Sequence, residues 1–200
     1  MKKKEHPTEE KIKTAARKLF LKKGYRQTSV RNIATEAKIN VSLMNYYFRS
    51  KEKLFEMIMI EYISGFFKEM MAMLDGTQLT VDQKVKLLAE KYIDLMIKQP
   101  DIPLFVLGEI RTHPESFIKR LGISGILAKI RFVKELGNDN RGKAGNNPLQ
   151  LFVTLLGMTI FPFLARPMVM AAGKVSPKQF DMMMEERKLL VPLWFRKIMN

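Results

Sequence analysis

The sequence contains no cysteine, two histidines and one tryptophan in 200 residues. Disulfides, thiolate zinc sites and cysteine nucleophiles are therefore excluded, and the composition suits a reducing compartment, so a cytoplasmic location is expected. His6 lies in a polar N-terminal stretch and His113 precedes Pro114, so the two make no catalytic or metal-binding pair. Neither a His-Glu-x-x-His motif, a nucleophile elbow nor a Gly-x-x-x-x-Gly-Lys phosphate loop is present. Glu185 and Glu186 are adjacent and do not face one another on a helix. No enzyme activity, metal or cofactor is therefore expected. Long apolar runs are also missing. The longest, Leu151 to Ala165, contains Pro162, is closed by Arg166 and Pro167, and falls short of the roughly 20 residues that span a bilayer. It reads as a buried or subunit-interface helix, with no membrane partner. Three lysines at positions 2–4 have no apolar run behind them, so no secretory signal is expected.

Acidic side chains are scarce: 20 Asp and Glu face 35 Lys and Arg, for a net charge of +15. Residues 1–54 carry 15 of the basic and 5 of the acidic side chains, a surplus of +10 in about a quarter of the chain. Charge concentrated in this way implies a polyanionic partner. Hydrophobic content of 46% and charged content of 28% describe a folded chain. Its length suits one domain or a small domain plus a larger one.

What is present is helical periodicity, and no strand pattern competes with it. A first helix begins near Thr8. Glu9 and Glu10 complement the dipole of its first turn, Ile12, Ala15, Ala16, Leu19 and Phe20 form its apolar face, and Gly24 ends it. Thr28 or Ser29 can cap a short second helix carrying Val30, Ile33, Ala34 and Ala37. The pattern breaks over 37–40. Ser42 can cap a third helix with Met44, Tyr47 and Phe48 on its apolar side. Two short helices about a tight turn form a helix-turn-helix, whose second helix enters the DNA major groove.

The matching residues are Phe20, Gly24-Tyr25, Thr28-Ser29-Val30, Ile33-Ala34, Ala37, Val41-Ser42, Tyr47-Phe48, Ser50-Lys51-Glu52 and Leu54-Phe55. In register and without gaps over residues 8 to 55, the stretch resembles the DNA-binding signature of the tetracycline-repressor (TetR) family. Beyond it the resemblance is one of length and helical character. Two positions depart from the pattern. Lys38 stands where the turn usually has glycine and must adopt φ > 0 there. Asn45 stands at the usual tyrosine of the recognition helix, so family base contacts do not carry over to it.

The rest of the chain supplies a body. A long helix from Ser50 to about Leu74 carries Leu54, Phe55, Ile58, Tyr62, Phe66, Met70 and Met73, a stripe wide enough for burial on several sides. A turn at 75–78 precedes an amphipathic helix over 80–98. Leu104 to Arg111 forms a shorter helix, and Glu115 to Leu136 is expected as one helix with soft points at Gly122 and Gly125. Gly137 to Pro148 is expected as a disordered loop, and residues 2–6 as a mobile basic tail. The apolar segment 149–173 and a helix over 176–199, bearing Trp194, complete the chain.

These readings converge on an all-α protein. Residues 1–50 form a helix-turn-helix three-helix domain, and residues 51–200 form a larger helical effector-binding and dimerisation domain. The resemblance implies a one-component transcriptional regulator, a repressor, binding a near-palindromic double-stranded DNA operator as a homodimer and released by a small hydrophobic effector. Thr28, Tyr47 and Lys51 are expected to touch phosphate. Arg31, Val41, Ser42, Leu43, Asn45 and Tyr46 are expected to face bases. An effector pocket is implied near Phe66, Met70, Tyr92, Met96, Phe105 and Phe117, with Glu109 as a polar anchor. The competing reading is a constitutive basic nucleic-acid-binding protein without a ligand, which a body filled by its own side chains would favour.

Overall fold

Short polar side chains mark where several helices start. The computed structural model describes residues 7–76, 78–125, 130–138 and 147–199. Among them are eleven helices and no strand: α1 (Pro7–Gln27), α2 (Val30–Ala37), α3 (Val41–Phe48), α4 (Lys51–Leu74), α5 (Val81–Lys98), α6 (Ile102–Thr112), α7 (Pro114–Leu121), α8 (Arg131–Asn138), α9 (Pro148–Leu164), α10 (Arg166–Gly173) and α11 (Pro177–Met199). Ser29 and Asn32 form a reciprocal capping box at α2, and Thr80 and Gln83 do the same at α5. The cap of α3 is Asn40, whose Oδ1 accepts the Leu43 N–H at 2.8 Å. Ser42, expected as that cap, lies instead inside the first turn of the helix. The basic tail at 2–6 and most of the loop expected over 137–148 fall outside the described residues.

Contacts divide the chain into two compact units, Met1–Gly65 and Phe66–Asn200. The division falls within α4 rather than at residue 50, because the first turns of α4 complete the N-terminal core. Leu54 and Ile58 are wholly buried there, together with Ile12, Ala16, Ile33 and Met44. Phe55 meets Phe20 edge-on at 5.1 Å and Tyr25 at 4.6 Å. Glu61 takes Lys13 at 3.0 Å and Arg17 at 2.6 Å, which ties α4 to α1. Helices as short as α2 and α3 are unstable alone. Burial of Ile33, Met44 and Phe48 holds them, at about 1.5–3 kcal/mol per large side chain. Gly24 breaks the regular part of α1 as expected, at φ 77° and ψ 169°.

In the second unit α5 is the central helix, packed against α8, α9 and α11. Its Val85, Leu88, Ala89, Ile93 and Met96 are buried, with Phe132, Leu155, Phe180 and Phe195 among their surroundings. Lys84 is fully buried as well. Its ammonium donates to Glu135 at 2.6 Å, and Arg131 holds the same carboxylate at 2.7 Å. Burial would raise the Glu135 pKa, but the hydrogen bonds from Lys84 and Arg131 outweigh it and leave the carboxyl below its ordinary range.

The helix expected over 115–136 is not continuous: among the described residues α7 ends at Leu121 and α8 starts at Arg131. Gly122 (φ 72°) closes α7 and Gly125 (φ 66°) turns the chain again, both in the left-handed region that suits glycine. The Asp75 carboxylate then accepts the first N–H of α8, from Arg131, at 3.3 Å. The apolar segment 149–173 is likewise broken, with α9 and α10 bent by 61° at Ala165. No single helix among the described residues is long and apolar enough to cross a membrane.

Candidate nucleic-acid interface

The turn between α2 and α3 depends on Lys38 taking the left-handed conformation that glycine takes more cheaply. Its φ is 55° and ψ 48°, and its N–H caps the carbonyls of Ala34 and Thr35. This turn, the Asn40 cap and the burial of Met44 and Phe48 fix which side of α3 faces away from the core.

Val41, Ser42, Leu43, Asn45 and Tyr46 all lie on that outward side. Tyr46 is 79% exposed, an unusual surface for a tyrosine with no interior role. Its ring meets Tyr47 edge-on at 5.2 Å. Tyr47 is half-buried between solvent and core, and Arg31 is exposed on α2. The outward set offers an amide, two hydroxyls and apolar groups. Such groups can pair with adenine, bond phosphate and touch a thymine methyl, respectively.

Thr28 and Lys51 behave otherwise. Thr28 is 1% exposed and its hydroxyl donates to the Gly24 carbonyl at 2.8 Å. The Lys51 ammonium donates to the carbonyls of Thr28 at 3.1 Å and Tyr25 at 3.3 Å, and stands 4.0 Å from the centre of the Tyr25 ring. Beyond the break at Gly24 the Tyr25 carbonyl accepts the Thr28 N–H at 3.3 Å, and the Lys51 cation adds a second donor there and one to the Thr28 carbonyl. The Tyr25 hydroxyl completes the arrangement by donating to Glu52 at 2.6 Å. Burial, with the Glu52 bond, pushes the Tyr25 hydroxyl up to about 12. The Tyr25 hydrogen bond holds the Glu52 carboxyl below its ordinary range. Two of the three residues expected to reach phosphate, Thr28 and Lys51, thus tie the start of α4 to the α1–α2 joint. Sequence reading missed this latch, although Tyr25, Lys51 and Glu52 were all among the matched residues. It also passed over Arg49, an exposed cation at φ 62° directly after α3.

In the second unit, Phe66, Met70, Tyr92 and Met96 share one apolar cluster, with the Phe66 and Tyr92 rings 5.0 Å apart. Burial raises the Tyr92 hydroxyl pKa, and no described residue hydrogen-bonds to it. Phe105, Glu109 and Phe117 are not part of that cluster. They gather on α6 and α7, where the two rings lie 6.3 Å apart and Glu109 pairs with Arg120. No group of three metal-ligating side chains exists among the described residues.

An N-terminal helix-turn-helix with an exposed second helix defines a DNA-binding domain. Residues 12–58 match the family of bacterial regulatory proteins called tetR. The chain is similar to the probable HTH-type transcriptional regulator YttP of Bacillus subtilis (strain 168), with 28% identity over 198 residues covering 94% of each chain. Its fold is like that of a TetR/AcrR-family regulator from Thermobifida fusca, with a TM-score of 0.63 and 20% identity over 92% of this chain and 95% of that one. It is also like that of FadR from Bacillus subtilis, solved with stearoyl-CoA, with a TM-score of 0.57 and 19% identity over 91% and 96%.

Proposed function

We propose that the protein is a repressor that binds a near-palindromic operator as a homodimer and leaves it when a small, largely apolar effector occupies the body. The exposed outward side of α3 carries this reading. Val41, Ser42, Leu43, Asn45 and Tyr46 are all exposed there, and together they supply groups that read base edges. Arg31 adds a guanine-reading cation, and Tyr47 and Arg49 serve phosphate. Thr28 and Lys51 brace the domain instead. In a two-fold dimer the recognition helices stand one turn of DNA apart, roughly 34–36 Å, or a multiple of it.

Tyr92 supports the effector. A buried aromatic cluster with one hydroxyl that lacks a partner among the described residues suits an apolar ligand bearing a single hydrogen-bonding oxygen. FadR of Bacillus subtilis, similar in fold, holds stearoyl-CoA, so a lipid-like ligand is the class to screen first.

The test begins with selection of bound duplexes from a random pool, followed by titration of the selected operator against salt. A near-palindrome and a log–log slope of about −5 to −9, from roughly 6–10 neutralised phosphates, are expected. A flat salt response and no enriched sequence would overturn the reading. Any effector found must bind operator-loaded protein more weakly, by the factor by which it weakens operator binding.

A further inference from the structure

Among the described residues, three other than glycine adopt a positive φ: Lys38 at 55°, Arg49 at 62° and Lys174 at 49°. Two of them flank α3, Lys38 in the turn before it and Arg49 directly after it. Only glycine enters this region without steric cost, and lysine and arginine have no local hydrogen bond to ease it. The backbone at Arg49 is the more strained. Its φ is 62° and ψ −41°, and the Ser50 N–H donates to the Phe48 carbonyl at 2.7 Å. That is a γ-turn of the rare, strained form. Its neighbours hold it there: Phe48 and Leu54 are buried, and Lys51 is bonded to the Thr28 carbonyl. Strain of this kind persists only where the surroundings over-determine it, and it concentrates at functional positions.

The charges of the two residues are also uncompensated. Residues 29–51 contain one acidic side chain, Glu36, and Lys18 holds it at 2.6 Å. Lys13 and Arg17 on α1 are likewise paired, with Glu61. Lys38 and Arg49 are exposed, and neither side chain makes an ion pair or hydrogen bond among the described residues. Neither therefore offsets its backbone cost within the fold. The helix between them has eight residues, about 12 Å at about 1.5 Å per residue. The major groove is roughly as wide, about 12 Å. A cation beyond each end of such a helix comes within a long side chain's reach of the phosphates that border the groove.

We propose that Lys38 and Arg49 form a phosphate clamp, one at each end of α3, and that the positive-φ backbone at both positions is the strain that places them there. The inference rests on the operator-binding reading above. It adds Lys38 to the DNA-binding residues and a means of fixing orientation. Arg49 alone leaves α3 free to pivot about its C-terminal end, whereas a contact at each end sets its tilt in the groove. Phosphate contacts carry no base information, so the clamp strengthens binding to operator and to unrelated duplex alike. Lys174 supplies the comparison. It is an exposed cation with the same left-handed backbone, but it caps α10 in the second unit and has no place in the clamp.

The test compares full-length Lys38→Gly, Arg49→Gly and Lys174→Gly by fluorescence anisotropy, on the selected operator and on an unrelated duplex, across a salt series. DNA-free thermal unfolding is the check on folding. Glycine removes the cation and relaxes the backbone together, so a loss of DNA binding in a folded variant is not a loss of structure. In Lys38→Gly and in Arg49→Gly a dimer loses one phosphate contact per half-site. The log–log salt slope should become shallower by about 1.8, and affinity for both duplexes should fall about tenfold or more. Lys38→Arg should keep the slope, and Lys174→Gly should change neither quantity. A steep wild-type slope that survives in Lys38→Gly or Arg49→Gly would overturn the clamp and leave the operator reading standing. A slope that falls equally in Lys174→Gly would show that net charge rather than position sets it, and would also overturn the clamp. A wild type without salt-dependent duplex binding would overturn the operator reading, and the clamp with it. Should a glycine variant unfold, Lys38→Asn and Arg49→Asn decide instead, because asparagine tolerates the left-handed region without a cation.

Discussion

Lys51→Met separates a structural lysine from a DNA-binding one. Methionine preserves the apolar stem but removes the charge and its donors. The Thr28 carbonyl then loses its Lys51 donor, the Tyr25 carbonyl keeps only the Thr28 N–H at 3.3 Å, and the Tyr25 ring loses the cation 4.0 Å from its centre. A hydrogen bond to a charged group contributes about 1.5–3 kcal/mol and a partly exposed cation–π contact about 0.5–1 kcal/mol. Lys51 is half-exposed, so solvent reduces both, and a loss of about 2 kcal/mol follows. An ordinary surface substitution stays within about 0.5 kcal/mol. In urea, followed by far-UV ellipticity without DNA, the midpoint of the N-terminal unit should fall by about 1 M for a slope of about 2 kcal/mol/M. Operator affinity should fall with it, but the salt slope should not change. A phosphate-binding lysine would instead lower the slope by about 0.9 per half-site and leave the DNA-free midpoint in place. That second pattern would refute the latch.

Asn45→Ala and Arg31→Ala should each relax base preference at particular operator positions, at about 1–3 kcal/mol for a bidentate contact. An unchanged selected consensus for both would remove them from base reading. Gly65→Ala should stabilise α4 by about 0.5–1 kcal/mol, since an added Cβ meets nothing within 4 Å; an unchanged or lower unfolding midpoint would contradict this. The Glu135 carboxyl is depressed in the folded chain, so its contribution to stability is present above its ordinary pKa and is lost as pH falls through the folded value. Acid unfolding monitored below about pH 4.5 should therefore be less steep in Glu135→Gln than in wild type, with the missing carboxylate costing stability mainly at neutral pH. Tyr92→Phe should weaken any effector that uses the hydroxyl while leaving operator affinity without effector unchanged, as read by calorimetry and anisotropy.

Much of the helical plan follows from local chemistry. Glycine at position 24, a hydroxyl at 29 and apolar residues at three- and four-residue spacing specify α1 and α2 without reference to anything distant. The same holds for the two sides of α3. Once Met44 and Phe48 are assigned to the core, 3.6-residue periodicity turns Ser42, Asn45 and Tyr46 outward. The αL turn at Lys38 was legible for a related reason: the turn geometry allows few backbone conformations, whichever residue occupies it. Periodicity was least informative where an apolar pattern ran across a break. Residues 115–136 and 149–173 keep their hydrophobic spacing through Gly122 and Ala165, so nothing local distinguished a soft point from an end.

The internal bonds of Thr28 and Lys51 could not be read in this way. A threonine and a lysine at helix starts look like phosphate ligands, because unpaired N–H groups and positive charge are what a local view contains. Whether those groups are free depends on the Tyr25 and Thr28 carbonyls, which the reversal at Gly24 brings to the start of α4 from 26 and 23 residues away. The burial of Lys84 against Glu135, 51 residues distant, is a decision of the same kind. Periodicity assigns a side chain to a face of its own helix. Which polar group waits opposite that face is settled only when a second helix packs there, because hydrogen bonds and ion pairs act over a few ångströms and the chain does not fix those distances until it folds.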